Sequence, residues 1–394
     1  MRARRHTLDF TLTDEQRALV ARARTLADGP IRERAAAYDR EERWPAENVT
    51  DLTQAGFMGM ALPVEDGGQG RSVLETALAV EQFGRTCATT ARIVVDANIG
   101  PVGVLLHLGT AEQRRRFLPI VLAGDKPAIC ITEREAGSDA RAMRTTAHRE
   151  GDTYRLEGGK WFITGAGVSR LYLVVARVAE PDAEAGEIGC FVVEAGTPGL
   201  TTRRIPTMGV RGMPEGEVFL ADCRVPAANR IPTPRGFKDI ITVYNAQRVG
   251  AAAVALGIAQ GALELAVAHA RERRQFGQPI GSFQGLQWKL ADMRIAVESA
   301  RWLVYRAAWG AGHALPDPTD AALAKIAAAE AAQRVTSEAL QIFGSYGYSR
   351  EEPLERMARD ARMFTIAGGT AEVLRNLVGK RLLRDGGESS AQSE

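Results

Sequence analysis

In ITVYNAQRVGAAAVALG (241–257), two polar residues, Gln247 and Arg248, stand just ahead of a run of small apolar ones. Such a pair is either a solvated turn at a bundle edge or a set of hydrogen-bonding groups facing a pocket. The Gln247 amide donates and accepts hydrogen bonds but takes no proton near neutral pH. Arg248 offers a planar fork that suits phosphate or carboxylate. Arg92 in CATTARIVVDANIG poses a related question, because Ala91, Ile93, Val94 and Val95 surround it with apolar chain. A guanidinium there needs an anion. The partner is an acid of this chain, such as Asp96 or one on another helix, or it is a bound sulfinate or carboxylate. Groups able to move a proton are few. Tyr244 needs a strongly lowered pKa to act as a base. Glu133 and Asp139 belong to ITEREAGSDA, where the plainer reading is that they organise a loop.

The elements that must position these groups fall into three textures. The first, 1–125, reads as helices, with capping-box spacing at Thr13–Gln16 and Thr110–Gln113. LPVEDGGQG (62–70) reads as a loop. The second, 126–232, reads as short strands and turns. YRLEGGKWFITG alternates about Gly158-Gly159 as a hairpin would, and LYLVVARV, GCFVVEA and GEVFLADCRV are further strands of a small antiparallel domain. The third, 233–394, returns to helices, with a long Gly/Ala-rich one through VGAAAVALGIAQGALELAVAHARERR and a frayed tail, DGGESSAQSE. The fold class is therefore mostly α with an inserted β domain.

Composition excludes several functions. The 394 residues carry a net charge of +2, which gives no footprint for nucleic acid or a membrane surface. No apolar run suggests a membrane span, and MRARRHTLDF lacks the apolar segment of a secretory signal. Cys87, Cys130, Cys190 and Cys223 are scattered, which suits reduced thiols in the cytoplasm. Five dispersed histidines with no HxxxH spacing argue against a metal site.

Four segments in order make the chain similar to the acyl-CoA dehydrogenase family. They are AICITEREAGSDARAM (128–143), KWFITGAG (160–167), RRQFGQPIGSFQGLQWKLADM (273–293) and ALQIFGSYGYSREEPLERMARDARMFTIAGGTAEVLR (339–375). The resemblance implies an N-terminal helical domain, a middle β domain and a C-terminal four-helix bundle, assembled as a homotetramer (a dimer of dimers). It also implies FAD as cofactor and an acyl-CoA thioester as substrate. By this resemblance Ile129, Cys130, Ile131, Thr132 and Ser138 line the flavin and thioester, with Ser138 also touching substrate. Phe162, Ile163 and Thr164 lie against the flavin ring, Thr164 at its N5 edge and Phe162 in place of the family's tryptophan. Arg273, Gln275, Phe276 and Gln284 from a neighbouring subunit, with Gln341, Gly344, Thr370 and Glu372, hold the cofactor's ADP half. Glu372 stands where a neutral amide is usual. Arg248 and Asn245 are matched to contacts with CoA.

The family's reaction needs a glutamate to remove the substrate α-proton. Its two known locations here carry Gln247 and Gly368, neither of which is basic. YNAQRVGAAAVALGIAQ, ARMFTIAGGTA, DKPAICI and CATTARIVVDANIG together resemble the desulfinase branch of the family, which lacks both glutamates and splits a C–S bond. Arg92 then matches the group that grips the substrate's sulfino anion, with Gln247 orienting substrate or water. Flavin-dependent reduction or oxygenation, and a non-catalytic flavin-binding relative, are the other readings that the lost glutamates leave standing.

Overall fold

The computed structural model describes residues 11–179 and 186–388, so MRARRHTLDF and the last six residues of the expected frayed tail lie outside the described residues. Seven helices come first: α1 (Asp14–Leu26), α2 (Arg32–Glu41), α3 (Ala46–Gln54), α4 (Val73–Gly84), α5 (Ala88–Asn98), α6 (Val102–Leu108) and α7 (Ala111–Leu122). Both expected capping boxes form, at Thr13–Gln16 and Thr110–Gln113, and Ser72–Glu75 makes a third ahead of α4. The 62–70 segment is a loop holding one short 3₁₀ turn, Val64–Asp66.

The strands are β1 (Ala128–Cys130), β2 (Thr146–Glu150), β3 (Thr153–Thr164), β4 (Leu171–Ala179), β5 (Ile188–Glu194), β6 (Leu200–Ile205), β7 (Glu215–Pro226) and β8 (Arg230–Ile231). They form one sheet in the order β6-β7-β3-β2-β4-β5-β8, with β1 added on β4. Two expectations are corrected here. The sheet is not purely antiparallel, because β1–β4 and β2–β4 run parallel. Gly158-Gly159 is not a hairpin turn: β3 continues through it, and β7 pairs with it on both sides of a register shift between Leu156 and Gly158. Gly158 has φ +138°, and a Cβ there would strike Thr145, so this glycine serves a bulge rather than a reversal.

The C-terminal part holds α8 (Phe237–Glu272), a short hairpin of β9 (Arg274–Gln275) and β10 (Gln278–Pro279), then α9 (Gln284–Ala311), α10 (Pro318–Phe343), α11 (Ser345–Tyr348), α12 (Pro353–Met363) and α13 (Ala371–Glu388). Helices α8, α9, α10 and α13 make the four-helix bundle, with α10 packed on the other three. α8 is long and apolar enough to cross a bilayer by composition, against the sequence reading, but 72% of its most apolar window is buried inside the protein. Its small residues explain the burial. A Cβ at Gly257 would meet the Glu81 carbonyl, and one at Gly250 would meet Val95, so α4 and α5 approach the α8 backbone directly. One core runs through the N-terminal helices, one side of the sheet and the bundle; a second lies within the β domain.

Candidate functional site

The close approach of α5 and α8 brings Arg92 and Asp96 opposite Gln247. All three are buried. Gln247 Nε2 donates to Asp96 Oδ1 at 3.5 Å, and its Oε1 is buried without a hydrogen-bond partner. Gly100 leaves room for that oxygen, since a Cβ there would collide with it. Arg92 reaches Asp96 Oδ1 at 3.7 Å, beyond hydrogen-bond length, and Arg92 Nε is a buried orphan. Asp96 is held more closely by Lys126, whose Nζ lies 2.9 Å from Oδ2. Both alternatives for Arg92 therefore bear on the site: it does face Asp96, yet that carboxylate leaves most of its donors unused.

Lys126 extends the site into the sheet by donating to the Thr164 carbonyl at 2.9 Å. On the paired strand, Thr164 Oγ1 donates to Glu215 Oε1 at 2.6 Å. Burial pushes the Glu215 carboxyl up to about 7, against the pull of Thr164, Arg92 and Lys126. Tyr244 lies in the same field, and burial raises its phenol above the ordinary value despite Arg92 and Arg248. It is no base. Sequence reasoning missed Lys126 and Glu215. A lysine and an aspartate within apolar runs signal the first pair, but nothing in GMPEGEVF marks Glu215, which only strand pairing delivers.

Arg248 and Asn245 are also buried, so the solvated-turn reading of the Gln–Arg pair fails. Arg248 donates to Asn245 Oδ1 at 2.6 Å and to the Gly368 carbonyl at 3.2 Å. Burial holds its guanidinium below the ordinary value, and no carboxylate pairs with it among the described residues. Lys325, fully buried, donates to the Gly369 carbonyl at 2.6 Å, and burial lowers it to about 8. Two cations thus fix the Gly368-Gly369 turn, both of whose residues have positive φ. Glu133 is a loop organiser: it accepts from Lys160, Thr145 and the Arg144 backbone.

The flavin-side candidates divide. Cys130 and Ile163 point into the β-domain core, so they can line the site only through their backbones. Ile129, Ile131, Thr132 and Thr164 are half-buried, and Ser138 is exposed. At the second register shift of β3, Phe162 takes φ +51° and its ring swings outward, 55% exposed. The ADP-half candidates lie mostly elsewhere. Arg273 stacks over Tyr346 at 5.3 Å, Gln275 and Gln284 are exposed, and Phe276 is 92% exposed, all at the far end of α8. Gln341 and Gly344 share that end through the α10 terminus, whereas Thr370 caps α13 and Glu372 is exposed in its first turn. Twenty-five residues of α8 separate Arg248 from Arg273, about 37 Å of helix.

A basic cleft of about 1000 Å³ opens between the β domain and the start of α8, lined among others by Arg141, Arg149, Arg177, Arg230, Arg235 and Phe237.

The chain matches the family models of the acyl-CoA dehydrogenase N-terminal domain (residues 13–125), middle domain (128–223) and C-terminal domain (234–383). It is 50% identical over 378 residues to a 3-sulfinopropanoyl-CoA desulfinase of Paraburkholderia xenovorans, covering 95% of this chain and 97% of that protein. A desulfinase of the same name from Advenella mimigardefordensis is 48% identical over 98% of this chain and 99% of its own length. Among solved structures, butyryl-CoA dehydrogenase from Megasphaera elsdenii superposes with a TM-score of 0.91 at 36% identity, covering 95% of this chain and 100% of that one.

Proposed function

This chain belongs to the acyl-CoA dehydrogenase family, and from that premise we propose that it removes the sulfino group of 3-sulfinopropanoyl-CoA as sulfite, leaving propanoyl-CoA. The relatives of about 50% identity bear that activity in their names. The observation that carries the reading is Arg92. A buried guanidinium with an orphan Nε and a single long ion pair is costly, and a bidentate anion on the substrate β-carbon removes that cost.

In this reading Arg92 grips the sulfinate, and Asp96, tethered by Lys126, keeps the guanidinium turned toward it. The unpartnered Gln247 Oε1 accepts a hydrogen bond from water or substrate, and neither it nor Gly368 can take an α-proton. Arg248 and Asn245 flank the thioester. The basic cleft receives the phosphates of CoA, and the exposed Ser138 is a further substrate contact.

The family binds FAD. The residues fit it: Phe162 offers a bare aromatic face beside Thr164, and the α8 end exposes an arginine, two glutamines and a phenylalanine. When bound, FAD supplies a planar wall over the acyl chain and, in the family's usual reaction, a hydride acceptor. The separation of about 37 Å between Arg248 and Arg273 (twenty-five helical rises) supports the reading that the exposed end serves a cofactor in another subunit. A homotetramer fits this, as does α9, where Trp288, Ile295, Trp302 and Trp309 recur every seven residues and are all exposed. The buried free thiols suit the cytoplasm.

Sulfite release from 3-sulfinopropanoyl-CoA, measured with FAD-loaded protein, tests the proposal. Anaerobic bleaching of the flavin by short saturated acyl-CoA esters in place of sulfite release overturns it.

A further inference from the structure

The site as described binds an anion but does not account for its proton. Desulfination replaces a C–S bond by a C–H bond, and neither Gln247 nor Gly368 can deliver that hydrogen. The other acids near Arg92 are engaged or unsuitable: Asp96 is paired to Lys126, and the Tyr244 phenol is pushed above its ordinary value. Glu215 differs. It opens β7 opposite Thr164 and is half-buried. Among the described residues it forms no ion pair, and its carboxyl accepts one hydrogen bond, from Thr164 Oγ1. A continuous run of contacts joins it to the anion grip: Glu215 to Thr164, Thr164 to Lys126, Lys126 to Asp96, Asp96 to Arg92 and Gln247.

We propose that Glu215 is the acid–base group of this site, protonating the carbon from which sulfur leaves and recovering its proton from the attacking water. This rests on the desulfinase reading. The bookkeeping closes without an outside oxidant or reductant. The C–S bond breaks and its electron pair makes the new C–H bond with the Glu215 proton. A water oxygen bonds to sulfur, and one water proton returns to Glu215. One water is consumed, and propanoyl-CoA and hydrogensulfite leave. Protonation as the C–S bond opens avoids a free carbanion. The groups facing Glu215 set its poise. Burial favours the protonated acid; Thr164 on β3, Arg92 on α5 and Lys126 ahead of β1 favour the carboxylate, while Asp96 on α5 opposes it. The result lies near 7, where a group donates and recovers a proton with comparable ease. The donating form is lost as pH rises, so turnover falls on the alkaline side.

The experiment uses FAD-loaded full-length protein, assaying sulfite release between pH 5.5 and 9 for wild type, Glu215→Gln and Glu215→Asp. The expected result is a kcat about 100-fold lower in Glu215→Gln, with KM and FAD content unchanged and the alkaline limb gone from the residual activity. Glu215→Asp regains part of the rate and keeps a limb. Unchanged kcat and pH profile in Glu215→Gln, while wild type releases sulfite, overturns the role of Glu215 alone. No sulfite from wild type overturns the desulfinase reading and this inference with it. If Glu215→Gln does not fold, the wild-type profile decides: a kcat that falls above about pH 7 supports the role, and a flat one overturns it.

Discussion

Arg85 and Arg92 stand seven residues apart and are equally hidden, 5% and 6% exposed, yet the chain treats them in opposite ways. Arg85, just past α4, ties α8 to the N-terminal helices. Its Nε donates to both Glu264 oxygens at 3.2 and 3.1 Å, another of its nitrogens also meets Glu264, and Nη1 reaches Asp28 at 3.3 Å. Arg92 has one carboxylate at 3.7 Å, already claimed by a lysine. Burial alone therefore does not separate a structural arginine from a binding one; the count of satisfied donors does. A charge whose partners are all internal holds helices together. A charge left short of partners is completed by what the protein binds.

That contrast breaks most sharply at Arg92. Arg92→Ala is expected to lower kcat/KM for sulfite release by about 10³-fold, equal to about 4 kcal/mol of lost charge-assisted contact. Its unfolding free energy should stay within about 1 kcal/mol of wild type, because Asp96 keeps Lys126. Equal losses of stability and activity would erase the distinction. Arg85→Met should do the reverse, costing about 3 kcal/mol in urea unfolding by leaving Glu264 with only the Gln260 amide, Asp28 keeping Arg24 and Arg32, while folded protein keeps its turnover.

A smaller effect tests the uncompensated carboxyl at Glu215. Its folded pKa of about 7 exceeds the unfolded value of 4.5, so the folded state binds the extra proton between them. Stability is then lost as pH rises from about 4.5 through 7, and Glu215→Gln should flatten that part of a chemical-denaturation series against pH. The smallest expected change comes from Gln247→Glu. It puts a carboxylate beside Asp96, at the present 3.5 Å contact, so repulsion keeps much of it protonated. Slow anaerobic flavin bleaching by a saturated short acyl-CoA should appear, and Asp96→Asn on top should quicken it. No bleaching in either FAD-loaded variant would show that lack of a base is not what silences dehydrogenation here.

The three-part organisation, the capping boxes, most strands and the long α8 were legible because each is written in local sequence: cap spacing, alternation, small-residue runs. The failures were also local signals, overruled by pairing. Gly158-Gly159 has turn composition, but β7 hydrogen-bonds on both sides of it and converts it to a bulge. α8, read as a helix built for close packing, is apolar enough to match a bilayer helix by composition, and α4, α5 and α10 pack around it as that reading expected. Phe162 was legible as an aromatic in a strand, not as one turned outward by a positive φ.

At the site, the sequence by itself determined what was missing and what was exceptional: Gln247 and Gly368 cannot take a proton, and Arg92 sits among apolar neighbours. Residue type is enough for that, since an amide's lack of basicity and a guanidinium's charge need no coordinates. Which groups fill the gap was decided only by tertiary structure. Glu215 lies 123 residues beyond Arg92 in the chain, and it enters the site because β7 pairs with β3 and Lys126 bridges β3 to α5. Sequence distance carries no information about such a field; the closeness of the groups that shift a carboxyl's proton affinity comes only from packing.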